Sequence, residues 1–198
     1  MTDTVDVNDR RARWNRRHAQ AGAPAAPAEV LTDYAHLLPA SGLALDLACG
    51  RGRNALFLAK AGFQVEAWDL SDVAIRELAA AAQQQRLAIH AEQRDVVAAP
   101  PAPASMDVIV VSHFLERTLC PALMRALKPG GLLFYQTFVR EAVGSAGPSN
   151  PTYRLARNEL LRLFSSLDVV VYREEGRLGD TRRGLRDVAQ LVAQAAVC

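Results

Sequence analysis

A short glycine-rich segment is the part of this sequence whose residue types and spacing point most directly to chemistry. It reads Asp46-Leu47-Ala48-Cys49-Gly50-Arg51-Gly52-Arg53-Asn54. Glycines at a turn let the backbone approach a ligand closely, and the first turn of a following helix offers free N–H groups. The segment follows the apolar run that begins at Leu43, so it predicts a ligand-binding bend between a strand and a helix.

Two further carboxylates stand where later strands are expected to end. Asp69 closes an apolar run, 17 residues after Gly52. A carboxylate at that position can hold both hydroxyls of a ribose in a bidentate grip. Asp95 follows the next short strand, beside Val96, where a carboxylate can accept a hydrogen bond from an exocyclic amine. Together with the glycine bend, this pattern predicts a site for a nucleoside.

The elements that must position these residues alternate regularly between strand and helix. Short apolar runs predict strands, and segments rich in helix formers predict helices between them. Strands are predicted at residues 43–50, 63–70, 87–92, 106–112, 132–138, 167–173 and 185–193. Helices are predicted at residues 30–38, 53–61, 72–85, 118–127 and 157–164, with a Pro/Ala-rich connector at 21–29, a turn at 128–131 and a long loop at 141–151.

Such alternation predicts the fold class α/β, in three layers. A doubly wound, seven-stranded and mostly parallel sheet has helices on both faces, and a C-terminal antiparallel hairpin completes it. The chain has 198 residues, half of them apolar, which suits one domain with a core of its own. Residues 1–40 are expected to form a helical extension, and residues 41–198 the ligand-binding domain.

Composition excludes several classes of protein. A net charge of +2 argues against a protein held on nucleic acid by bulk charge. The cysteines Cys49, Cys120 and Cys198 are too far apart for a disulfide framework or a zinc site, so no metal is expected. No apolar run reaches the roughly 20 residues that span a bilayer, and the N-terminus has no signal-peptide core. These features favour a cytoplasmic protein, monomeric or homodimeric, with a small-molecule partner.

Four ordered segments, DLACGRGRN, EAWDLS, RDV and LKPGG, resemble the motifs of class I S-adenosylmethionine-dependent methyltransferases. The resemblance covers about residues 43–138. It implies a Rossmann-like fold, S-adenosylmethionine as the cofactor, and in-line transfer of a methyl group to a small-molecule acceptor. It also implies that residues 41–198 bind the cofactor. The segment around Trp14, with Arg16 and Arg17, is interpreted either as a lid that folds over the cofactor or as a frayed basic terminus.

The resemblance also assigns roles to individual residues. Gly50 and Gly52 would face the methionine end of the cofactor, with Asp46 near its amino group. Asp69 would hold the ribose, and Leu70 would lie against the adenine. The other cofactor-site residues that it implies are Cys49, Arg51, Asn54, Asp95, Val96 and Ser112.

Some of these residues have a second interpretation. His113 follows the buried strand at 106–112 and is the candidate catalytic residue, either as a base or as a substrate contact; the alternative is a packing histidine. Arg51 and Arg53 would neutralise the methionine carboxylate, or would belong to a solvated helix start. Cys49 is interpreted as a small hydrophobe beside the turn rather than as a nucleophile.

A narrower resemblance is to the tellurite-resistance branch of this family, which methylates small chalcogen oxyanions or related small nucleophiles. It rests on CGRGRN, EAWD, the late element Asn158-Glu159-Leu160, and YREEGRL. That branch has a His-Arg pair in the final hairpin. Here the corresponding stretch reads Arg177-Leu178-Gly179-Asp180, without the pair.

Two other functions fit parts of the pattern. Gly50-x-Gly52-x-x-Ala55 followed by Asp69 also satisfies the dinucleotide fingerprint of an NAD(P)-dependent oxidoreductase. The charge of Asp46 inside the strand and the lack of a separate substrate domain argue against it. A non-catalytic cofactor-binding protein with the same fold is the second alternative.

Overall fold

A seven-stranded sheet forms the centre of the computed structural model, which describes residues 6–20, 22 and 26–197. The strands lie in the order β3-β2-β1-β4-β5-β7-β6. They are β1 (Leu43–Leu47), β2 (Gln64–Asp69), β3 (Ile89–Gln93), β4 (Met106–Ser112), β5 (Leu127–Phe138), β6 (Asp168–Arg173) and β7 (Val188–Gln194). The helices are α1 (Val7–Ala19), α2 (Glu29–Asp33), α3 (Arg53–Lys60), α4 (Asp72–Gln85), α5 (Cys120–Ala126) and α6 (Glu159–Leu163).

Strands β1 to β5 pair in parallel, whereas β7 pairs antiparallel with both β5 and β6. The strand order reverses between β1 and β4, and this reversal opens a crevice at the carboxyl ends of the strands. The last strand therefore lies between two earlier ones. The predicted fold class, including the antiparallel hairpin, is confirmed.

Two hydrophobic cores cover the two faces of the sheet. Helices α2, α3 and α4 pack on one face, and α5 and α6 pack on the other. Because side chains alternate along a strand, Leu45 and Leu47 of β1 point into the core on the side of α5 and α6. Asp46, between them, therefore points toward α3, at the beginning of the glycine bend.

Several predicted elements have different boundaries. The predicted helix 30–38 is a short α2 followed by a 3-10 turn at Ala35–Leu37, because the chain tightens before Pro39. Residues 128–131, predicted as a turn, form the irregular beginning of β5. Gly130 makes this possible with φ +75°, and its N–H donates to the carbonyl oxygen of Ala195.

The N-terminal segment forms a well-defined helix with a polar surface. Asp6 caps α1 by accepting a hydrogen bond from the Asn8 N–H at 3.1 Å. No residue of α1 is fully buried, and the helix lies against α4. Residues 21 and 23–25 of the predicted connector, and Cys198, lie outside the described residues. Within the described ranges, no helix is long and apolar enough to cross a membrane.

Candidate functional site

The glycine bend between β1 and α3 is built from residues with left-handed backbone. Ala48, Gly50 and Gly52 have φ values of +54°, +53° and +76°. A β-carbon on Gly52 would lie 2.2 Å from Cδ1 of Leu78, which is fully buried on α4. Position 52 therefore requires glycine for both backbone and packing reasons, and the bend lies close against α4.

Asp46 holds the bend from inside the sheet. Its carboxylate accepts hydrogen bonds from the Ala55 N–H at 2.9 Å and from Asn54 Nδ2 at 3.3 Å, at the start of α3. The side chain is almost completely buried, and this burial raises the pKa of Asp46 to about 7. Its carboxylate thus caps α3, and a contact with a cofactor amino group stays a prediction.

Asp69 connects the end of β2 to the same bend. One of its carboxylate oxygens accepts from the Gly50 N–H at 2.8 Å and the other from the Ser71 N–H at 2.8 Å. Burial raises the pKa of Asp69, and 8% of the residue remains exposed. A carboxylate offers about four lone-pair sites, so these two hydrogen bonds do not use its full capacity. Of the predicted residues, Asp46, Gly50 and Asp69 are brought together here.

Asp95 lies at the far side of the crevice, after β3. Its Oδ1 accepts from the Val97 N–H at 3.1 Å, and its Oδ2 forms an ion pair with Arg10 at 2.8 Å. Val96 is buried and Leu70 is half-buried. The predicted reader of an adenine edge is therefore paired with an arginine from α1.

Helix α1 lies across the crevice and contacts it at three places, through Arg10, Asn15 and His18. Asn15 donates to Asp72 Oδ1 at 2.6 Å and accepts from the hydroxyl of Ser71 at 2.7 Å. His18 lies over the bend, with its Cε1 3.1 Å from where a β-carbon on Gly50 would stand. The pKa of His18 is lowered, chiefly by burial.

The lid was predicted around Trp14, and these three contact residues were not predicted. Trp14 stacks on His18 with ring centroids 6.0 Å apart, and it contacts no other aromatic ring among the described residues. At 3.6 residues per turn, Arg10, Asn15 and His18 fall within an arc of about 140° around the helix. Their positions around the helix could have indicated a common contact surface, but they do not show which part of the protein that surface covers.

The two arginines of the bend point in different directions. Arg51 pairs with Glu77 and donates to the carbonyl oxygen of Gly22 at 2.5 Å. Arg53 instead extends toward the end of β4, where it contacts the Ser112 hydroxyl at 3.5 Å and His113 Nδ1 at 2.5 Å. Only Arg53 therefore reaches the residues that follow β4.

Asn54 and Cys49 are structural parts of the bend. Asn54 is buried; its amide donates to the Ser112 hydroxyl at 3.0 Å and accepts from the Ala28 N–H at 2.9 Å. Cys49 is also buried, and burial raises the pKa of its thiol well above the usual value. Since the thiolate is the reactive form, Cys49 is unsuited to act as a nucleophile.

His113 is held in an unusual backbone conformation, with φ +56°. Its ring packs on Phe138 with centroids 4.9 Å apart. Burial, with a smaller contribution from the nearby Arg53 charge, lowers the pKa of His113 to about 4. The imidazole is therefore neutral near pH 7, and this low basicity favours a substrate contact over a general base.

A cavity of about 480 Å³ opens beside His113, between the beginning of α2 and the carboxyl ends of β4 and β5. Arg53, His113, Gln136 and Phe138 line its inner wall, and residues 184–188 line the opposite side. The volume is in the range of small-molecule pockets. The glycine bend and this cavity are joined by Arg53.

Comparisons with known proteins agree with this arrangement. A sequence profile described as "Methyltransferase domain" matches residues 44–131. The chain is 28% identical over 136 residues to the probable S-adenosyl-L-methionine-dependent methyltransferase TehB of Haemophilus influenzae, and 30% identical over 139 residues to hemagglutinin 1 of Eikenella corrodens. Each match covers 66% of this chain but 47% and 45% of those proteins. The chain thus spans about half the length of the curated relatives it matches.

Solved structures agree on the fold. The crystal structure of TehB from Haemophilus influenzae matches with a TM-score of 0.71 at 22% identity, over 92% of this chain and 67% of that one. A protein studied for the conversion of a disulfide bond into a thioacetal group during echinomycin biosynthesis also gives 0.71, at 21% identity, over 94% of this chain and 92% of that one. The sheet topology described above is therefore shared with these proteins.

Proposed function

We propose that this chain carries a class I S-adenosylmethionine-dependent methyltransferase domain and transfers a methyl group from S-adenosylmethionine to a small-molecule acceptor. The predicted resemblance to this family is confirmed by the profile match at residues 44–131, by the TehB relatives and by the fold. The observation that carries the proposal is the joint placement of the Gly50–Gly52 bend and Asp69 at the crevice.

The nucleoside part of the cofactor fits the residues present. The Asp69 carboxylate can accept more hydrogen bonds than those from the Gly50 and Ser71 N–H groups, and this suits it to the ribose hydroxyls. Leu70 and Val96 supply apolar surface for the adenine. Asp95 would accept from the exocyclic amine once its pair with Arg10 opens.

The methionine part fits the bend only if α1 moves. His18 lies against Gly50, over the surface where the amino-acid tail would pass. The N–H groups at the start of α3 are the donors available to a carboxylate on that side. We propose that α1 is the lid and shifts outward to admit the cofactor, whereas α2, whose Val30 and Leu31 are buried in the core, stays in place.

When bound, S-adenosylmethionine supplies a methyl group activated by a positively charged sulfur. The chain aligns the methyl donor with the acceptor. The bend and Asp69 hold the cofactor, and the cavity beside His113 holds the acceptor. Well-oriented reactants reach effective molarities of about 10⁵ M or more, so alignment alone accounts for much of such a rate.

Calorimetric titration tests this function against its main alternative. We expect the full chain to bind S-adenosylhomocysteine and to show no heat of binding with NAD or NADP. Binding of a nicotinamide dinucleotide alone would refute the proposal. Release of S-adenosylhomocysteine from S-adenosylmethionine, followed by mass spectrometry over an acceptor library, distinguishes an enzyme from a non-catalytic binding protein.

A further inference from the structure

The cavity beside His113 is lined by a buried glutamine whose orientation is fixed. Gln136 Oε1 accepts from the Val30 N–H at 2.9 Å and from Gln190 Nε2 at 3.0 Å. A backbone N–H can only donate, so the atom facing Val30 must be the amide oxygen. Nε2 of Gln136 then faces the other way, as a donor that forms no hydrogen bond with the described residues.

The neighbouring glutamine shows that this orientation is maintained at an energetic cost. Gln190 lies opposite Gln136 in the β5–β7 pairing, is fully buried, and its Oε1 has no partner among the described residues. An unsatisfied buried acceptor costs about 1–3 kcal/mol, which two apolar residues would avoid. Such departures from good packing are expected at functional sites rather than elsewhere in a core.

His113 presents a second donor to the cavity. The guanidinium of Arg53 can only donate, so Nδ1 of His113 is the acceptor of their 2.5 Å hydrogen bond. In the neutral ring the proton therefore sits on Nε2. That nitrogen forms no hydrogen bond within the described part of the chain.

Arg53 supplies the positive charge of this wall. It is about half-buried, and no carboxylate in the described ranges forms an ion pair with it. The other charged residues of the cavity either form hydrogen bonds with the backbone or lie at the rim. Arg186 donates to the backbone carbonyls of residues 176 and 178 at 3.1 and 2.6 Å, Asp187 accepts from the N–H groups of residues 143 and 144, and Glu29 is exposed at the rim.

We propose that this cavity binds an organic acceptor through a carboxylate, which receives hydrogen bonds from Gln136 Nε2, His113 Nε2 and the Arg53 guanidinium. The inference rests on the proposed methyl transfer and names its acceptor class. The cavity volume of about 480 Å³ and the apolar surfaces of Phe138, Leu185 and Val188 leave room for a carbon body behind the anionic group. A bare inorganic oxyanion would fill only a small part of that space.

Titration of the full chain, saturated with S-adenosylhomocysteine, with benzoate, benzamide and selenite tests this inference. Benzoate has both a carboxylate and a carbon body, benzamide has the carbon body without the carboxylate, and selenite is an oxyanion without a carbon body. We expect benzoate to bind about tenfold or more tightly than benzamide, because charged hydrogen bonds to the three donors are lost with the amide. Selenite is expected to bind more weakly than benzoate. Equal binding of benzamide, or tighter binding of selenite, would overturn the inference.

Gln136→Glu is the decisive variant, because it keeps an oxygen for Val30 and replaces only the donor. We expect it to weaken benzoate binding about tenfold and to leave the S-adenosylhomocysteine dissociation constant unchanged. Gln84→Glu, on the exposed surface of α4, is the matched control with the same charge change and no expected effect. An unaltered benzoate affinity in Gln136→Glu would refute the carboxylate site.

The methyl-transfer function and the carboxylate site can be refuted independently. Absence of S-adenosylhomocysteine binding by the native chain would refute the methyl-transfer function, and benzoate titration without that ligand would still judge the anion site. A lower affinity for S-adenosylhomocysteine in Arg53→Gln, with benzoate binding unchanged, would assign Arg53 to the cofactor carboxylate and contradict the three-donor site.

Discussion

Arg53 donates a 2.5 Å hydrogen bond to Nδ1 of His113, although the two residues lie 60 positions apart in the chain. The contact joins the glycine bend, where Arg53 begins α3, to the residues that follow β4. It fixes the imidazole tautomer, and it places a positive charge beside a ring that is already desolvated. The bend and the acceptor cavity are therefore connected by a single pair of side chains.

The low pKa of His113 can be measured directly by NMR titration of the imidazole. We expect a value near 4, so that the rate of methyl transfer shows no inflection from His113 between about pH 5.5 and 8.5. In Arg53→Gln the pKa should rise but stay below the usual histidine value, because burial is the larger cause. Arg86→Gln, at an exposed arginine that follows the C-terminal end of α4, should leave it unchanged. A native His113 pKa near 6.5 would contradict the buried position of the ring beside the Arg53 guanidinium.

Asp69 is expected to contribute a large part of cofactor affinity. Asp69→Ala removes the acceptors for both ribose hydroxyls, which should weaken S-adenosylhomocysteine binding by about 2 kcal/mol. Calorimetry provides the measurement. Asp168→Asn, at an exposed position of β6, is the control and should bind as the native chain does. If Asp69→Ala binds with the native dissociation constant, Asp69 does not belong to the site.

Gly52 is expected to be intolerant of even one added methyl group. Gly52→Ala combines an unfavourable positive φ with a clash against Leu78, and together these should lower the free energy of unfolding by about 2–4 kcal/mol. Gly179→Ala is the matched control, since Gly179 has φ +67° and nothing within 4 Å of its added β-carbon. Urea denaturation of both variants separates the two effects. Equal losses at the two positions would mean that contact with Leu78 is unimportant.

The lid proposal predicts that weakening α1 improves access to the crevice. Arg10→Ala removes the ion pair with Asp95, which is partly exposed and therefore worth less than about 1 kcal/mol. We expect S-adenosylhomocysteine to bind about two- to fivefold more tightly, with faster association by stopped-flow fluorescence of Trp14. Arg11→Ala, which loses only a contact with Asn8, should behave as the native chain. Weaker binding in Arg10→Ala would make Arg10 a cofactor ligand instead of part of a lid.

Asp46 is expected to make stability fall as pH rises toward neutrality. Its folded pKa of about 7 lies above the ordinary aspartate value of 3.8, so the folded chain retains a proton that the unfolded chain has released. Its stabilising contribution is complete below pH 3.8 and is lost as pH rises to about 7, by at most about 4 kcal/mol. The free energy of unfolding should therefore change less between pH 4.5 and 8 in Asp46→Asn than in the native chain. Asp33→Asn, exposed at the end of α2, should retain the native slope, and an unchanged slope in Asp46→Asn would contradict the raised pKa.

Local sequence patterns were sufficient to predict most of the fold. Helix α4 and strand β4 occupy the predicted residues, 72–85 and 106–112, because each is defined by nearby chemistry. Ser71 caps α4 by accepting from the Ala74 N–H, and the run at β4 is apolar on both faces. The glycine bend was predictable for the same reason, since positive φ favours glycine within a few residues.

The rest of the candidate site depends on contacts between distant residues. Arg10 and Asp95 are 85 positions apart, and Gln136 and Gln190 are 54 apart. No local periodicity indicates such pairs, and a buried glutamine in a strand does not reveal which end of its amide is occupied. The predicted helix at 30–38 was too long, because α2 ends at Asp33 and the chain tightens into a 3-10 turn at Ala35–Leu37.

The placement of β7 between β5 and β6 has a consequence for synthesis on the ribosome. Residues 188–194 must enter the sheet after both neighbours have been translated, so the hydrogen-bonding edge of β5 stays open while residues 139–187 emerge. During that interval the nascent chain presents an apolar, unpaired strand. Such a surface is prone to aggregation and is typically bound by chaperones. Slow translation across this stretch would prolong the exposure, and the acceptor cavity, whose wall includes Val188, is completed only when the gap is filled.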